Sequence, residues 1–502
     1  MKKNKLVLPV FLAWMTVVPA KAQEILTLER TLEIAFEHSP TLVQSRISLE
    51  QQQLNLKAQQ ASLKSQFSLN VNPFNYSRRN MYDNFNSKWY AIENMSSSAS
   101  LGIYQPIKWT DGSIGLYNDV SWQNASNRTS GGKDISYNHN LSLRIEQPLF
   151  TYNRTKMQLR ELELSLENAQ LHFAIQQLNI EKNVTTTFYS VYQSQKDLQI
   201  ARDEVDNQRR NASIISNKAE AGLVPREELY QAEVNLAKAE ASLNSRLIDL
   251  EDAKDRFKLS IGMPLDQDFV LLPNTEILPV KVNTDEAVHY GLTRRMEIRQ
   301  QQITVEKDMF GLIRAKSENE FKGNVTARIG LDALGGKIRG MYDNPTDNEE
   351  IGISLTIPIF DWGAKRARVK STQLGIEATQ LNFDEEQKTI ALDIRQICRR
   401  LPVLLSQVDI QKKSVENAER TYTIQSEKYR NGNLSGMELQ QYQSQLTQAQ
   451  QAYTNAIISY KLELLNLKIQ TLWDFENNRP LPGMPGDTPG LRRGFATSAP
   501  SQ

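Results

Sequence analysis

The groups able to carry covalent chemistry are few and scattered. The four histidines, His38, His139, His172 and His289, share no metal-ligand spacing, and the single cysteine, Cys398, has no neighbouring histidine to activate it. No phosphate-cradling glycine loop occurs, so any energy source must lie in a partner. What recurs is a turn with an acid behind it. EAGLVPREELYQAEV (Glu220 to Val234) and RNGNLSGMELQQYQS (Arg430 to Ser444) each hold a glycine, Gly222 or Gly432, and a glutamate six positions on, Glu228 or Glu438.

The residues between glycine and acid are turn formers. Gly222, Leu223, Val224 and Pro225 make one tip, and Gly432, Asn433, Leu434 and Ser435 the other. Glycine suits the left-handed residue that ends a helix, and proline suits the first turn of the next. Ser435 and Glu438 have the spacing of a capping box, which gives Glu438 a local structural task as well.

These tips must be positioned by the elements around them, and the chain is written twice. TLERTLEIAFEHSPTLVQSRISLE (Thr27 to Glu50) matches NTDEAVHYGLTRRMEIRQQQITVE (Asn283 to Glu306) at a constant offset of 256. Gln147-Pro148-Leu149-Phe150 matches Ile357-Pro358-Ile359-Phe360 at an offset of 210, the same offset that relates Gly222 to Gly432. Each half is expected to open with one helix, over 28–64 and 284–320, begun by the capping signals Thr27 and Asn283. Alternating residues then predict strands: Phe67, Leu69 and Val71; Tyr137 to Ile145; Val325 to Leu331; Ile351 to Ile357. A long helix follows, 154–221 or 364–431, with Pro402 predicting a break or kink in the second. Beyond each tip a return helix is expected, 226–260 and 436–472. Extra length in the first half, about 77–137, holds two more alternating runs, Ala99-Leu101-Ile103 and Ile114 to Trp122, joined at the hairpin signal Asp111-Gly112. The pattern leaves open whether they cross a membrane or form an external or internal loop.

The remaining properties define the compartment. Lys2, Lys3 and Lys5, an apolar run from Leu6 to Val18 and Ala20-Lys21-Ala22 read as a secretory signal over residues 1–22. The later chain has no apolar run long enough for a spanning helix. A formal net charge of +1, which turns slightly acidic once the leader's lysines leave, excludes a nucleic-acid-binding balance. A lone cysteine permits no internal disulfide, and no cysteine near the cleavage site offers a lipid anchor. The hydrophobic share of 39 % and mean hydropathy of −0.51 suit long polar helices with narrow apolar seams. Expected domains are a first repeat over 23–265, with strands about 67–149 and its tip at 220–228, and a second over 266–476, with strands about 322–360 and its tip at 430–438. A proline- and glycine-rich tail, 477–502, is expected to be disordered.

Four amphipathic strands per chain cannot close a membrane barrel, because lipid leaves no partner for an open edge. Three copies would give twelve strands, with the helices projecting into an aqueous compartment. The chain resembles the TolC-like outer-membrane efflux factors over nearly all of its mature length, at the opening LTLERTLEIAFEHSPTLVQSR, at QPLF and IPIF, at AGLVPREELYQAEVNLAKAEASL and at KLSIGMPL (Lys258 to Leu265). The resemblance implies an α+β membrane protein: a duplicated protomer and a homotrimer with a twelve-stranded outer-membrane β-barrel continued by a long periplasmic α-helical barrel. It implies a passive exit duct of a tripartite efflux or type I secretion system, with no cofactor, set in outer-membrane lipid. A periplasmic adaptor would open the duct at its tips and an inner-membrane transporter would energise it. It further implies that the two tips dock the adaptor and that Glu228, Glu438 and Gln441 sit at the periplasmic gate. A second acid found there in some members is Gln231 and Gln441 in this chain. The second repeat ends in TLWDF (Thr471 to Phe475) without the glycine and proline that close the first. The rival readings are a periplasmic adaptor, which would need a split lipoyl-like domain, and a structural envelope coiled coil, which would have no use for paired strands.

Overall fold

The computed structural model describes residues 24–85, 87–127 and 132–481. The expected leader, 1–22, lies outside the described residues, as does the tail from residue 482 on. The chain divides into two compact units, and each draws on both halves of the duplication. One takes in the residues up to Pro40 with Asn179–Pro279 and Arg400–Leu465; the other takes Thr41–Leu178, Val280–Arg399 and the residues from Asn466 on.

The long helices lie close to where the sequence puts them. Helix α3 covers Arg154–Glu220 and α4 Arg226–Ile261; in the second half α7 covers Ala364–Arg430 and α8 Gly436–Thr471. Pro402 lies inside α7 without ending it. One missing N–H is a small loss in a ladder of 67 residues whose neighbour Leu401 is buried.

The opening helices are corrected. Each expected single helix is two: α1 (Leu28–His38) and α2 (Pro40–Ser62), then α5 (Thr284–Arg294) and α6 (Met296–Ser317). The breaks fall at Ser39 and Arg295, equivalent under the 256 offset, and both residues are extended, with φ −62 and ψ 120 at Ser39 and φ −64 and ψ 130 at Arg295. Pro40 pushes Ser39 out of the helical region. Arg295 has no following proline and takes the same shape. The two capping signals hold as read, with Thr27 accepting from the Arg30 amide at 3.3 Å and Asn283 from that of Asp285 at 3.0 Å.

In the first unit, β1 (Glu24–Leu26) pairs in parallel with β6 (Phe269–Leu271), a contact too short to show in the sequence. Phe269 packs tilted against Phe257 of α4 at 5.1 Å, and Phe257 meets Phe188 of α3 at 6.1 Å. Phe188 and Phe257 are fully buried.

In the second unit one antiparallel sheet has six strands in the order β2-β3-β4-β5-β7-β8: Gln66–Asp83, Lys88–Ile107, Gly112–Asn127, Gly132–Leu149, Lys322–Gly335 and Thr346–Thr356. The sheet holds two strands beyond the four counted from the sequence, because the extra segment of the first half, whose place the sequence leaves open, supplies β3, β4 and the ends of their neighbours. The register lines up one apolar row, Phe67, Ile103, Leu116, Leu143 and Ile329, from β2 to β7, and β8 places Glu349 at its end. The next row on the other face runs Ser68, Gly102, Tyr117, Ser142, Gly330 and Asn348. Alternation with period two sorts the faces in this way. The tail is also corrected at its start: β10 (Arg479–Pro480) pairs with β9 (Trp473–Asp474), and Leu481 is buried against Leu472.

The β3–β4 turn holds the start of α3. Asp111 accepts from the Thr155 amide at 2.9 Å and its hydroxyl at 2.5 Å, with Arg154 Nε at 3.2 Å. Asn153 donates to the carbonyls of Lys108 and Trp109 at 2.8 and 2.9 Å. A side chain at Gly112 would meet the Glu146 carbonyl at 2.8 Å, so the strand crossing needs glycine there. The second half does this job locally: Asp361 accepts from the Lys365 amide at 3.0 Å, the position equivalent to Thr155. Burial pushes the Asp111 carboxyl up, but hydrogen bonds from Thr155 and Arg154 outweigh it and hold it below the ordinary carboxylate range. A depressed folded value stabilises above the unfolded pKa and is lost as pH falls through the folded one. Asp111→Ala is therefore expected to cost about 1 kcal/mol at neutral pH, as a lost helix cap does. The difference from the parent should shrink below about pH 4, where the carboxylate protonates; denaturant titrations of both proteins across pH measure it.

Candidate functional site: the paired hairpin tips

Both tips belong to the first unit, and the bonds that close their leading helices repeat one for one. After α3 the Gly222 amide donates to Ala219 O at 3.0 Å and the Leu223 amide to Lys218 O at 2.8 Å; after α7 the Gly432 amide donates to Tyr429 O at 3.1 Å and the Asn433 amide to Lys428 O at 2.9 Å. Two bonds of this kind close a helix through a left-handed residue. Gly222 and Gly432 are that residue, with φ 70 and 79. A Cβ at either would meet nothing within 4 Å, so only the backbone requires glycine.

The return helices begin differently. Pro225 precedes α4 without a side-chain cap. Ser435 forms the expected capping box: its hydroxyl accepts from the Glu438 amide at 3.2 Å, and Glu438 Oε2 accepts from the Ser435 amide at 3.0 Å and hydroxyl at 2.8 Å. The Ser435 backbone and side-chain bonds hold the Glu438 carboxyl below its usual range. Glu438 is exposed, whereas Glu228 is half-buried. Gln231 bonds Asn235 at 3.0 Å, and Gln441 is exposed.

The tips are packed on one another. Ile215, Ala232, Tyr429 and Leu439 are buried together, and Val224 and Leu434, at matching places in the two turns, pack against them. Lys218, near the end of α3, donates to the Tyr429 carbonyl at 3.0 Å and lies 5.0 Å from its ring centroid. The ammonium thus satisfies a terminal carbonyl of the neighbouring helix and also meets an aromatic face. Burial and the charge of Glu228 push the Tyr429 hydroxyl up to about 12, so it stays neutral. Deeper in the unit Gln208 hydrogen-bonds Gln440 and, at 3.4 Å, Gln443. Leu223, in the first turn, and Met437, at the start of α8, remain 74 % and 83 % exposed.

The sequence marks both glycines and the capping box. It does not mark Lys218 and Tyr429, which lie 211 residues apart and join different hairpins. Their signal was available only as non-identity within the duplication, since Ala219 stands where Tyr429 recurs. Cys398 is buried in the second unit, near Thr284, and burial pushes its thiol up, the opposite of an activated nucleophile.

A duplicated chain with an amphipathic antiparallel sheet and paired long helical hairpins has the parts of a channel protomer. A family model described as outer membrane efflux protein matches residues 113–262 and 314–468, more than half of the chain. The chain belongs to that family, whose members are efflux channels of the Gram-negative outer membrane with their helices in the periplasm. They are not enzymes; they form homotrimers and work with adaptors and inner-membrane pumps. Among relatives, the probable outer membrane lipoprotein SilC of Salmonella typhimurium is 20 % identical, over 67 % of this chain and 73 % of that protein. The fold is similar to the Campylobacter jejuni CmeC outer membrane channel, with a TM-score of 0.67 and 17 % identity over 91 % of this chain and 86 % of that one. It is also similar to the outer membrane protein VceC of Vibrio cholerae, with a TM-score of 0.64 and 14 % identity over 88 % of this chain and 94 % of that one.

Proposed function

We propose that the paired tips are the working end of this channel. Three copies present six turns around the periplasmic mouth, where Gly222 to Pro225 and Gly432 to Ser435 receive an adaptor. The observation that carries this reading is the recurrence of the same helix-closing bonds in both turns, with apolar side chains left uncovered at Leu223 and Met437. A turn serving only to reverse the chain would gain from burying them. The duct is passive; the adaptor opens it, and an inner-membrane transporter supplies the energy. The lysine that ties Tyr429 to α3 holds the two hairpins together at rest.

Within that reading Glu228, Glu438 and Gln441 form the gate, with unequal parts. Glu438 stays ionised because Ser435 holds its carboxyl low, so it contributes a fixed negative field at the mouth. Glu438→Gln is expected to lower cation preference in single-channel recordings from planar bilayers. The reversal potential under a salt gradient should move toward that of a non-selective pore. Unchanged conductance and selectivity would leave Glu438 with its capping role alone.

A further inference from the structure

The strand count per chain departs from the family plan, and the added strands are built as wall. Strands β3 and β4 pair without a break from Ile92↔Asn127 to Ile107↔Gly112, and β4 and β5 from Ser113↔Glu146 to Asn127↔Gly132. Every strand of the sheet has 11 to 20 residues, against the roughly 9 to 11 that a tilted strand needs to cross a bilayer. The apolar face does not stop at the added pair: Leu69, Leu101 and Leu141 flank Asn118 in one row, and Val71, Ala99 and Val120 continue the next.

The opposite face is fitted across the same strands. Tyr117 of β4 lies over two glycines, where a Cβ at Gly102 would come within 3.2 Å of its ring and one at Gly115 within 2.5 Å. The Arg144 guanidinium of β5 covers that ring at 4.6 Å and reaches Asp119 at 3.8 Å. Asp111, in the turn between β3 and β4, holds the start of α3, so the added hairpin is fastened at that end too. A loop folded outside the membrane would have no reason for a one-sided apolar row in register with its neighbours.

We infer that β3 and β4 are barrel wall, so that three chains, each giving its six-stranded sheet, close an eighteen-stranded barrel. The occupant of each sheet edge is a second copy of this chain. β2 and β8 are the two ends of the sheet, and six alternating strands leave them antiparallel to each other, as pairing between neighbouring copies requires. With strands about 4.8 Å apart and tilted about 40°, eighteen give a ring about 36 Å across and twelve a ring about 24 Å across. The outer-membrane portion of this duct is then about as wide as a large porin.

The inference rests on the trimeric outer-membrane reading, and the test separates the two. Full-length trimers extracted from outer membranes are reconstituted in nanodiscs and imaged along their axis. In a Cys398→Ala background, Leu101→Cys and Leu116→Cys are labelled with an environment-sensitive fluorophore and challenged with brominated lipid and with aqueous iodide. The expected result is a ring about 36 Å across with labels quenched by lipid and shielded from iodide. A trimer with a ring of about 24 Å and iodide-quenched labels overturns the eighteen-stranded wall and leaves the duct intact. Absence of trimers from the outer-membrane fraction overturns the reading beneath it, and the wall with it.

Discussion

Cells carrying Gly222→Val together with Gly432→Val are expected to lose export while trimers still reach the outer membrane. Both glycines sit at positive φ, 70 and 79, where a β-branched residue is strained by about 1 to 3 kcal/mol. Neither has an atom within 4 Å of where the new side chain starts, so no core is displaced and the strain stays in the turn. It is relieved by unwinding the two closing bonds at each helix end, which moves Leu223 and Asn433 and the packing of Val224 and Leu434. Export of a fluorescent efflux substrate and heat-modifiable trimer bands, measured on the same cells, decide the matter. Loss of both would mean that the turns serve assembly alone; retained export would mean that tip shape is irrelevant. Alanine at the same positions should fall between, since it shares the backbone penalty without the branched carbon.

Phe257→Ala is expected to remove more stability than any tip substitution, about 3 to 5 kcal/mol, because it empties a fully buried aromatic site. Phe257 bridges α3 and the β1–β6 pair through Phe188 and Phe269, at 6.1 and 5.1 Å. Its loss strips Phe188 of an edge contact and Phe269 of a tilted one. The thermal midpoint of the solubilised protein should fall by many degrees, and protease should nick the chain between α4 and β6. Phe257→Leu, which keeps most of the volume, should recover the larger part of the loss.

The legible part of this fold was its periodicity. A run free of proline and glycine places α3 and α4, and a constant offset with a terminal glycine places α7 and α8 despite Gly375 and Pro402, all to within a residue or two. The breaks at Ser39 and Arg295 show the limit. Pro40 announces the first to a reader who weighs it, but nothing around Arg295 distinguishes it from a helix interior. The strands were half legible. Alternation identifies β3 and β4 as amphipathic, yet period two says nothing about which strands stand beside them, so four or six per sheet could not be chosen. At the tips the glycines were readable because left-handed backbone has few other occupants. The capping-box spacing already set Glu438 apart from Glu228 in sequence, and the structure adds that Glu228 is the half-buried one, near Tyr429, while Glu438 is exposed.

The carboxylate at the head of α3 makes the added hairpin hard to give back. In the second half Asp361 lies three residues ahead of its helix, and under the 210 offset its counterpart in the first is Thr151, whose short hydroxyl is no substitute. Asp111 fills that office from 44 residues upstream of Thr155. Excising β3 and β4 would therefore not restore the plainer ancestor that the second half resembles; it would orphan the amide it now serves. What began as two copies of one design has become two parts that cannot be exchanged, and the insertion is held in the lineage by a helix it never joins.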